Sequence, residues 1–298
     1  MKTLILEGIV TALNQISHNG VENGGNVQSF RKEKVQQPDG RVCEVPIISG
    51  NAIRGILRDL GAAQMLNKLG TDSENPQKVN LHLFQMLFSG GSLSSGKGNG
   101  NDIEKIKELR LNVPLLSLLG TANGNNMLPG KVQVNPLLPI CYENLHRIPT
   151  KYHPAKPVSC YKILQVTTQT RKEDTQNPKY EKYIDKSEFD KVSTTQMLYS
   201  IETISAGTQF YWKVVLKDVT LLEFDAFVTL LEEFKQNAIV GGKSAVGFGN
   251  IELSNMEWTE IAGGMNAVTM VTSDSDSMYN RMLEENKESL GSFLKTLA

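Results

Sequence analysis

The chain has few of the residues from which metal sites, disulfide frameworks and membrane spans are built. Its 298 residues include three cysteines, Cys43, Cys141 and Cys160, and no two of them form a Cys-x-x-Cys pair. This spacing argues against a zinc knuckle, and no other cluster in the sequence predicts a metal or an organic cofactor. No apolar run approaches the length of a membrane-spanning helix, so we expect no membrane partner. The odd cysteine count and the lack of a secretory segment predict a reduced protein of the cytoplasm.

An excess of positive charge is also missing. The chain has 31 Lys and Arg against 32 Asp and Glu, which gives a formal net charge of −1. A protein that coats nucleic acid over its whole surface is therefore excluded, and any surface for a polyanion must be local. Four local basic features favour one sequestered groove over a uniformly mixed surface. They are the cluster Arg31, Lys32 and Lys34, the pair Arg54 and Arg58, the segment 171–186, and Lys243 with Ser244.

A glycine-rich run lies near the end of the predicted core. Four of the nine residues 241–249 are glycines, and Lys243 and Ser244 stand between them. Glycines leave the backbone bare, and stacked peptide N–H groups beside a lysine form a concavity that binds anions, phosphate above all. The alternative is a tight turn that only joins a helix to a strand.

The order of the predicted elements indicates an α+β fold. Apolar periodicity and turn residues predict strand, helix, three strands, helix and strand, at residues 4–13, 50–60, 131–134, 197–204, 208–216, 221–237 and 250–253. This order suits a ferredoxin-like, RNA-recognition-like core, which is an antiparallel sheet with helices on one face. The turn at 205–207 predicts that the strands on either side of it pair as a hairpin.

Three segments are predicted to leave this core. Glycines and asparagines make residues 18–40 a long mobile loop. Residues 147–191 have ten basic against six acidic side chains and form a hairpin-like excursion with its tip near 175–178. After residue 258 a thin linker leads to a last amphipathic helix at 278–297, which docks on its own core or on a neighbouring copy.

The helix near residue 50 predicts a positive surface. Ser49 or Asn51 can cap its first turn. Arg54 and Arg58 are four residues apart, so they share one face of the helix. The helix N-terminus and the two arginines would present the same sign of electric field to one surface.

Three segments together resemble one protein family. They are Ile-Ile-Ser-Gly-Asn-Ala-Ile-Arg-Gly-Ile-Leu-Arg at 47–58, the apolar residues up to Gly120, and the stretch from Ala206 through the glycine run at 241–249. The chain is similar over most of residues 1–255 to the RAMP superfamily of CRISPR-associated proteins. Within it, the similarity is to the backbone subunit, the seventh Cas family, of type III and type IV complexes.

This resemblance implies a right-hand-like subunit. Residues 1–258 would be the palm with inserted fingers at about 61–130 and a thumb at about 150–195, and residues 259–298 a linker and tail helix. Several copies would stack along one guide RNA (crRNA) and present it to a target DNA or RNA, together with other subunits of the effector complex. The residues expected to bind RNA are Arg31, Lys32, Lys34, Ser49, Asn51, Arg54, Arg58, Arg171, Lys172, Gly242, Lys243 and Ser244.

Catalysis is not part of this expectation. Type III backbone subunits cut RNA with an aspartate after the first strand, and the matching residues 25–30 contain no acid. A non-enzymatic role is therefore predicted. Two alternatives stay open: an endoribonuclease of the same superfamily with His18 as general base, and a small-molecule protein whose Lys243 and Ser244 hold a nucleotide phosphate.

Overall fold

The computed structural model describes residues 1–24, 27–70, 74–91, 103–123, 126–172, 177–183, 185, 188, 196–262, 265–268 and 277–296. Its strands are β1 Lys2–Ala12, β2 Asn19–Gly24, β3 Val27–Phe30, β4 Lys32–Gln36, β5 Val42–Pro46, β6 Thr121–Asn123, β7 Asn126–Leu128, β8 Val132–Val134, β9 Leu138–Pro139, β10 Leu164–Lys172, β11 Gln196–Ile204, β12 Gln209–Val219, β13 Ile251–Ala262 and β14 Met265–Val268. Its helices are α1 Gly50–Leu69, α2 Leu81–Phe84, α3 Ile103–Asn112, α4 Pro114–Leu119, α5 Leu221–Gln236, α6 Met278–Glu285 and α7 Lys287–Thr296.

The main sheet has the order β14-β13-β1-β12-β8, with β9 also paired to β12, and its pairs are antiparallel. Helix α1 lies between β1 and β8 in the chain, and α5 lies between β12 and β13. The four strands β1, β8, β12 and β13 and these two helices therefore give a βαββαβ unit. The sheet order of that unit is β13-β1-β12-β8, which is the ferredoxin-like arrangement. The predicted α+β, ferredoxin-like fold is confirmed.

The main core lies between this sheet and the helices. Trp212 of β12 is 1 % exposed, and its ring centroid is 6.4 Å from that of Phe234 on α5. Helix α5 begins with a capping box, in which Thr220 and Glu223 satisfy each other's backbone N–H groups. The carboxylate of Glu223 also accepts hydrogen bonds from Ser117 and Lys131, which joins α4 and the residue before β8 to α5. These contacts hold the C-terminal end of α4, whose Leu119 carbonyl belongs to the candidate site described below.

A second sheet, of order β10-β11-β3-β2, stands beside the first. Strand β11 pairs with β10 and, in parallel, with β3, so the prediction that 197–204 and 208–216 form a hairpin is wrong. The chain instead crosses between the sheets at 205–207, where Gly207 has φ 81° and donates its N–H to Ala12 O. The chain does turn at 205–207, as predicted. The two strands that flank the turn pair elsewhere, because β12 joins the edge of β1 and β11 joins the edge of β10.

Residues 18–40 are also more regular than predicted. Apart from 25 and 26, which lie outside the described residues, they form β2, β3 and β4, and β4 pairs with β5. Phe30 and Val35 anchor this stretch in two buried clusters. Burial of these side chains and strand pairing replace the long mobile loop that the glycines suggested.

The C-terminal tail docks on its own core. Asp225 of α5 accepts hydrogen bonds from the Ser277 hydroxyl and the Tyr279 N–H, and Lys68 of α1 pairs with Glu284. The tail forms two helices, α6 and α7, rather than the single one predicted. The predicted boundary at 258 falls inside β13, which continues to Ala262 and pairs with β14.

Two of the predicted linkers fall partly outside the described residues. They are the low-complexity stretch 90–100, which its glycines and serines predict to be flexible and of which only residues 90 and 91 are described, and the predicted linker after residue 258, of which 263–264 and 269–276 are not described. The predicted tip at 175–178 is described only from Asn177. None of the helices in the described ranges is both long and apolar enough to cross a membrane.

Candidate nucleic-acid interface

The glycine run is held against the segment that follows β1. Gly242 donates its N–H to Ser17 O over 2.7 Å, and Gly249 donates to Gln15 O over 2.8 Å. Gly241 has φ 81°, and a Cβ there would lie 2.1 Å from Ser17 O. Glycine is therefore required at 241 by the close approach of two pieces of this chain, as well as by the backbone conformation.

The expected stack of free amides is largely wrong. Val246 and Phe248 donate their N–H groups to Lys243 O, and Gly247 donates to Ser244 O, because the run folds into a 3₁₀ turn over Ser244–Val246. With Gly242 and Gly249 also engaged, five amides of the run donate to carbonyls of the same chain. Ser244, which begins this turn, is exposed.

Lys243 presents a positioned positive charge. It sits in the left-handed region, with φ 62°, and its ammonium lies 4.5 Å from the ring centroid of Tyr199 on β11. Tyr199 donates its hydroxyl proton to Gln169 on β10 over 2.7 Å, which fixes the ring. Among the described residues Lys243 pairs with no carboxylate. Its charge is therefore available to an anion.

Two residues connect the glycine run to the start of α1. Ser17 accepts from Gly242, and the next residue, His18, accepts the N–H of Ser49 at its Nε2 over 3.2 Å. Ser49 is the N-cap of α1, and its hydroxyl accepts from Ala52 N–H, so the prediction that Ser49 or Asn51 caps the helix is settled in favour of Ser49. The run and the helix N-terminus therefore lie on either side of residues 17 and 18.

His18 is a structural acceptor at this junction. Burial, and then the positive charge of Arg31, lower its pKa below the ordinary value of 6.5. The unprotonated Nε2 is committed to Ser49 N–H, and the ring packs edge-on against Phe30 with centroids 6.1 Å apart. These contacts leave the endoribonuclease alternative, in which His18 is the base, without a specific observation in its favour.

Arg54 and Arg58 reach the same carbonyl. Both guanidinium groups donate to Leu119 O, at the C-terminus of α4, and Arg58 also donates to Met86 O at 3.5 Å. Arg58 is only 8 % exposed, and burial and the neighbouring charge of Arg54 lower its pKa. The Arg58 side chain thus ties Met86 and Leu119 to α1, and its contact with RNA stays a prediction.

Arg54 differs from Arg58 because it is only partly buried, although both line one open cavity. This cavity has a volume of about 570 Å³ and is lined by Asn51, Arg54, Gly55 and Arg58 of α1, and by the chain around Gly90, Gly120 and Pro129. The Nε of Arg54 is buried and has no hydrogen-bond partner within the described part of the chain. In those residues, too, no carboxylate pairs with either arginine. The cavity can accept an anion at this point.

The three basic residues before α1 differ in whether a carboxylate already pairs with them. Arg31 is exposed, and its backbone bonds to His18 O and to Ile47 N–H hold it beside the junction. Lys32 forms an ion pair with Glu202 at 3.0 Å, so part of its charge is already neutralised. Lys34, also exposed, lies farther along β4.

Arg171 and Lys172 lie at the far end of β10. Arg171 is exposed and stands opposite Met197, two residues beyond the opposed pair Gln169 and Tyr199. Side chains two residues apart in a strand point to the same face. Arg171 therefore continues the face that begins at Lys243 and Tyr199, whereas Lys172 ends the strand opposite Gln196.

Sequence reasoning missed Tyr199 and Gly55. A tyrosine in a strand gives no separate signal, and its contact with Lys243 joins residues that are distant in the chain. Gly55 was part of the motif at 47–58, but only the space around it distinguishes it from other glycines. Within the described residues, no three His, Cys, Asp or Glu side chains are placed to hold a metal ion.

Comparison with known proteins gives two matches. The family described as "CRISPR-associated negative auto-regulator DevR/Csa2" matches residues 9–78. A solved chain from a "Type IV-B CRISPR Complex" is similar over 93 % of this chain and 96 % of its own, with 20 % sequence identity and a TM-score of 0.60. Both matches are to CRISPR-associated proteins. No curated protein matches.

These matches confirm the resemblance to CRISPR-associated RAMP proteins. The family match begins within β1 and includes Ser49, Arg54 and Arg58, which are the residues of the most specific motif in the sequence. The structural match covers 93 % of this chain with a TM-score of 0.60, so the two chains share a fold despite the low sequence identity.

Proposed function

We propose that this protein is a non-enzymatic backbone subunit of a CRISPR effector complex. In this role it binds the guide RNA (crRNA) through its phosphates, stacks with copies of itself along that RNA, and presents the RNA for pairing with a target nucleic acid. Other effector subunits are its further partners, and the cytoplasm is its expected location.

One observation supports this proposal above the others. Residues 17 and 18 join the glycine run to the N-cap of α1, which supports one surface that includes Lys243 and the α1 face carrying Asn51 and Arg54. Phosphate contacts of this kind position a strand without reading its sequence, which suits a subunit that must accept any guide.

The β10–β11 hairpin extends that surface. Tyr199 supports Lys243, and Arg171 lies farther out on the same face, so cationic groups follow one another along the hairpin. The similarity to a chain of a Type IV-B CRISPR complex adds support from architecture. A small-molecule role for Lys243 and Ser244 has no specific observation in its favour within the described part of the chain.

The decisive experiment is co-expression with a CRISPR array, followed by purification and sequencing of the nucleic acid that the protein protects. We expect guide RNA and multimeric particles in electron micrographs. A monomer that protects no RNA would refute the proposal.

Lys243→Ala tests the site within the proposal. Loss of one phosphate contact should weaken RNA binding about tenfold for every guide sequence and reduce the slope of log K against log salt by about one. Lys235→Ala is the matched control, because Lys235 is a half-exposed lysine on α5 paired with Glu232. Equal effects of the two variants would remove Lys243 from the interface.

A further inference from the structure

Helix α1 contains three glycines, and two of them are explained by packing. A Cβ at Gly50 would lie 2.2 Å from Val134 O, and a Cβ at Gly61 would lie 2.6 Å from Leu115 Cδ1. Neither position can hold a larger residue without moving a neighbour. Glycine is thus required at the start of the helix and at its contact with α4.

Gly55 is not explained in this way. Among the described residues, no atom outside its own stretch of helix lies within 4 Å of the place where its Cβ would be. Its backbone is helical and has no positive φ, so alanine fits the conformation as well. Because glycine in a helix interior is less stable than alanine, the protein gives up helix stability here without any gain from its own packing.

The surroundings of Gly55 indicate what approaches it. Gly55 lines the cavity of about 570 Å³ beside Arg54, and Asn51 lies one turn earlier on the same face. Arg54 also lines this cavity, and its buried Nε has no hydrogen-bond partner in the described ranges. The Asn51 amide and the Arg54 guanidinium thus lie on either side of a helical backbone that carries no side chain at Gly55. This arrangement suits a phosphodiester, because its oxygens need hydrogen-bond donors and the strand must come close to them.

We infer that the sugar–phosphate strand lies in van der Waals contact with α1 at Gly55, between Asn51 and Arg54. The missing side chain sets the depth at which the strand sits, and therefore the distance at which Arg54 meets a phosphate. This inference rests on the proposed function, because it takes the guide strand as the ligand.

The test is Gly55→Ala, with Gly291→Ala as the matched control. Gly291 is a glycine of helix α7, and a Cβ there would make only an ordinary contact, 3.7 Å from Gln77 Oε1. Both variants should raise Tm by about 1–3 °C, as expected for a small gain in helix stability in a domain of this size. Binding of a short single-stranded guide fragment with room for one copy should fall about tenfold for Gly55→Ala only, because one charge-assisted contact is displaced.

Four outcomes separate this inference from the proposed function. If the wild-type protein binds the fragment and Gly55→Ala binds it equally well, the inference is wrong and the proposed function stands. If the wild-type protein binds no RNA, both are wrong. A lower Tm for Gly55→Ala would show that the glycine serves the fold. Unchanged fragment binding with loss of stacking on a long guide would show that Gly55 contacts a neighbouring copy.

Discussion

Arg54 and Arg58 are one turn apart on the same face of α1, and yet they differ in what they can do. Arg58 is buried and has both ends of its guanidinium group engaged by the carbonyls of Met86 and Leu119. Arg54 shares one of those carbonyls, is only partly buried, and has an Nε without a hydrogen-bond partner among the described residues. Spacing along a helix tells which residues share a face, and the chain that covers the face decides which of them meets a ligand.

The pair also shows how two like charges are tolerated without a carboxylate. Leu119 O is at the C-terminus of α4 and Met86 O lies in the π-helical turn Gln85–Ser89, so both are carbonyls near helix ends. Such carbonyls carry partial negative charge and interact favourably with cations. Arg58 has this stabilisation from two sides, and Arg54 from one.

The largest expected effect that tests this comparison is on stability. Arg58→Ala should reduce the free energy of unfolding by about 2–3 kcal/mol, because it removes two hydrogen bonds from a buried charged group to Met86 O and Leu119 O. Urea unfolding measures this loss. Folded Arg58→Ala protein should keep the wild-type dependence of RNA affinity on salt. A smaller slope of log K against log salt would mean that Arg58 also contacts phosphate.

A smaller effect is expected one turn earlier in the helix. Arg54→Ala should weaken RNA binding about tenfold and lower the salt slope by about one, while the free energy of unfolding changes by less than about 1 kcal/mol. Titration of labelled guide RNA at several salt concentrations measures this. Arg54→Lys, which keeps the charge and loses the planar fork, should recover part of the affinity. If Arg54→Ala lost as much free energy of unfolding as Arg58→Ala, the proposed difference between the two residues would be wrong.

The smallest effect concerns the junction that holds α1 in place. The pKa of His18 is lowered in the folded protein, so the unfolded chain binds this proton more readily. The stability that neutral His18 contributes is present above pH 6.5 and is lost as the pH falls through 6.5 toward the folded pKa.

We therefore expect the free energy of unfolding of the wild type to fall more steeply between about pH 7 and about pH 5.5 than that of His18→Gln. The glutamine amide oxygen can accept the Ser49 N–H without titrating in this range. Parallel urea titrations across the range provide the measurement, and identical pH profiles would contradict the structural role of His18.

Much of the fold could be predicted from the sequence. Strand β1, helix α1 and helix α5 have strong apolar periodicity and clear caps at Ser49 and Thr220, and their order alone indicated the ferredoxin-like core. The pairing of β11 could not be predicted, because a turn signal is local and says nothing about which open edge a strand joins. Residues 18–40 were misjudged for the same reason, since strand pairing outweighs local glycine content.

The site was predictable only in part. The basic clusters and the glycine run are visible in the sequence, but the partners that consume their charges and amides come from distant segments. Leu119 O reaches Arg58, Glu202 reaches Lys32, and Gln15 and Ser17 take up amides of the glycine run. Each of these contacts engages, wholly or in part, a group that local composition had assigned to RNA.

The parallel pairing of β3 with β11 has a mechanical consequence. Ser200 and Ile201 lie beside Val27 and Gln28, so the hairpin that carries Tyr199 is stitched to the segment leading into α1. A force on the outer end of the hairpin would act parallel to these paired strands. Their hydrogen bonds would then be loaded together in shear and would not open one at a time. The hairpin and the first strands therefore respond to tension as one stiff unit. Force that a bound nucleic-acid strand applied at Arg171 would be transmitted to the segment that precedes α1.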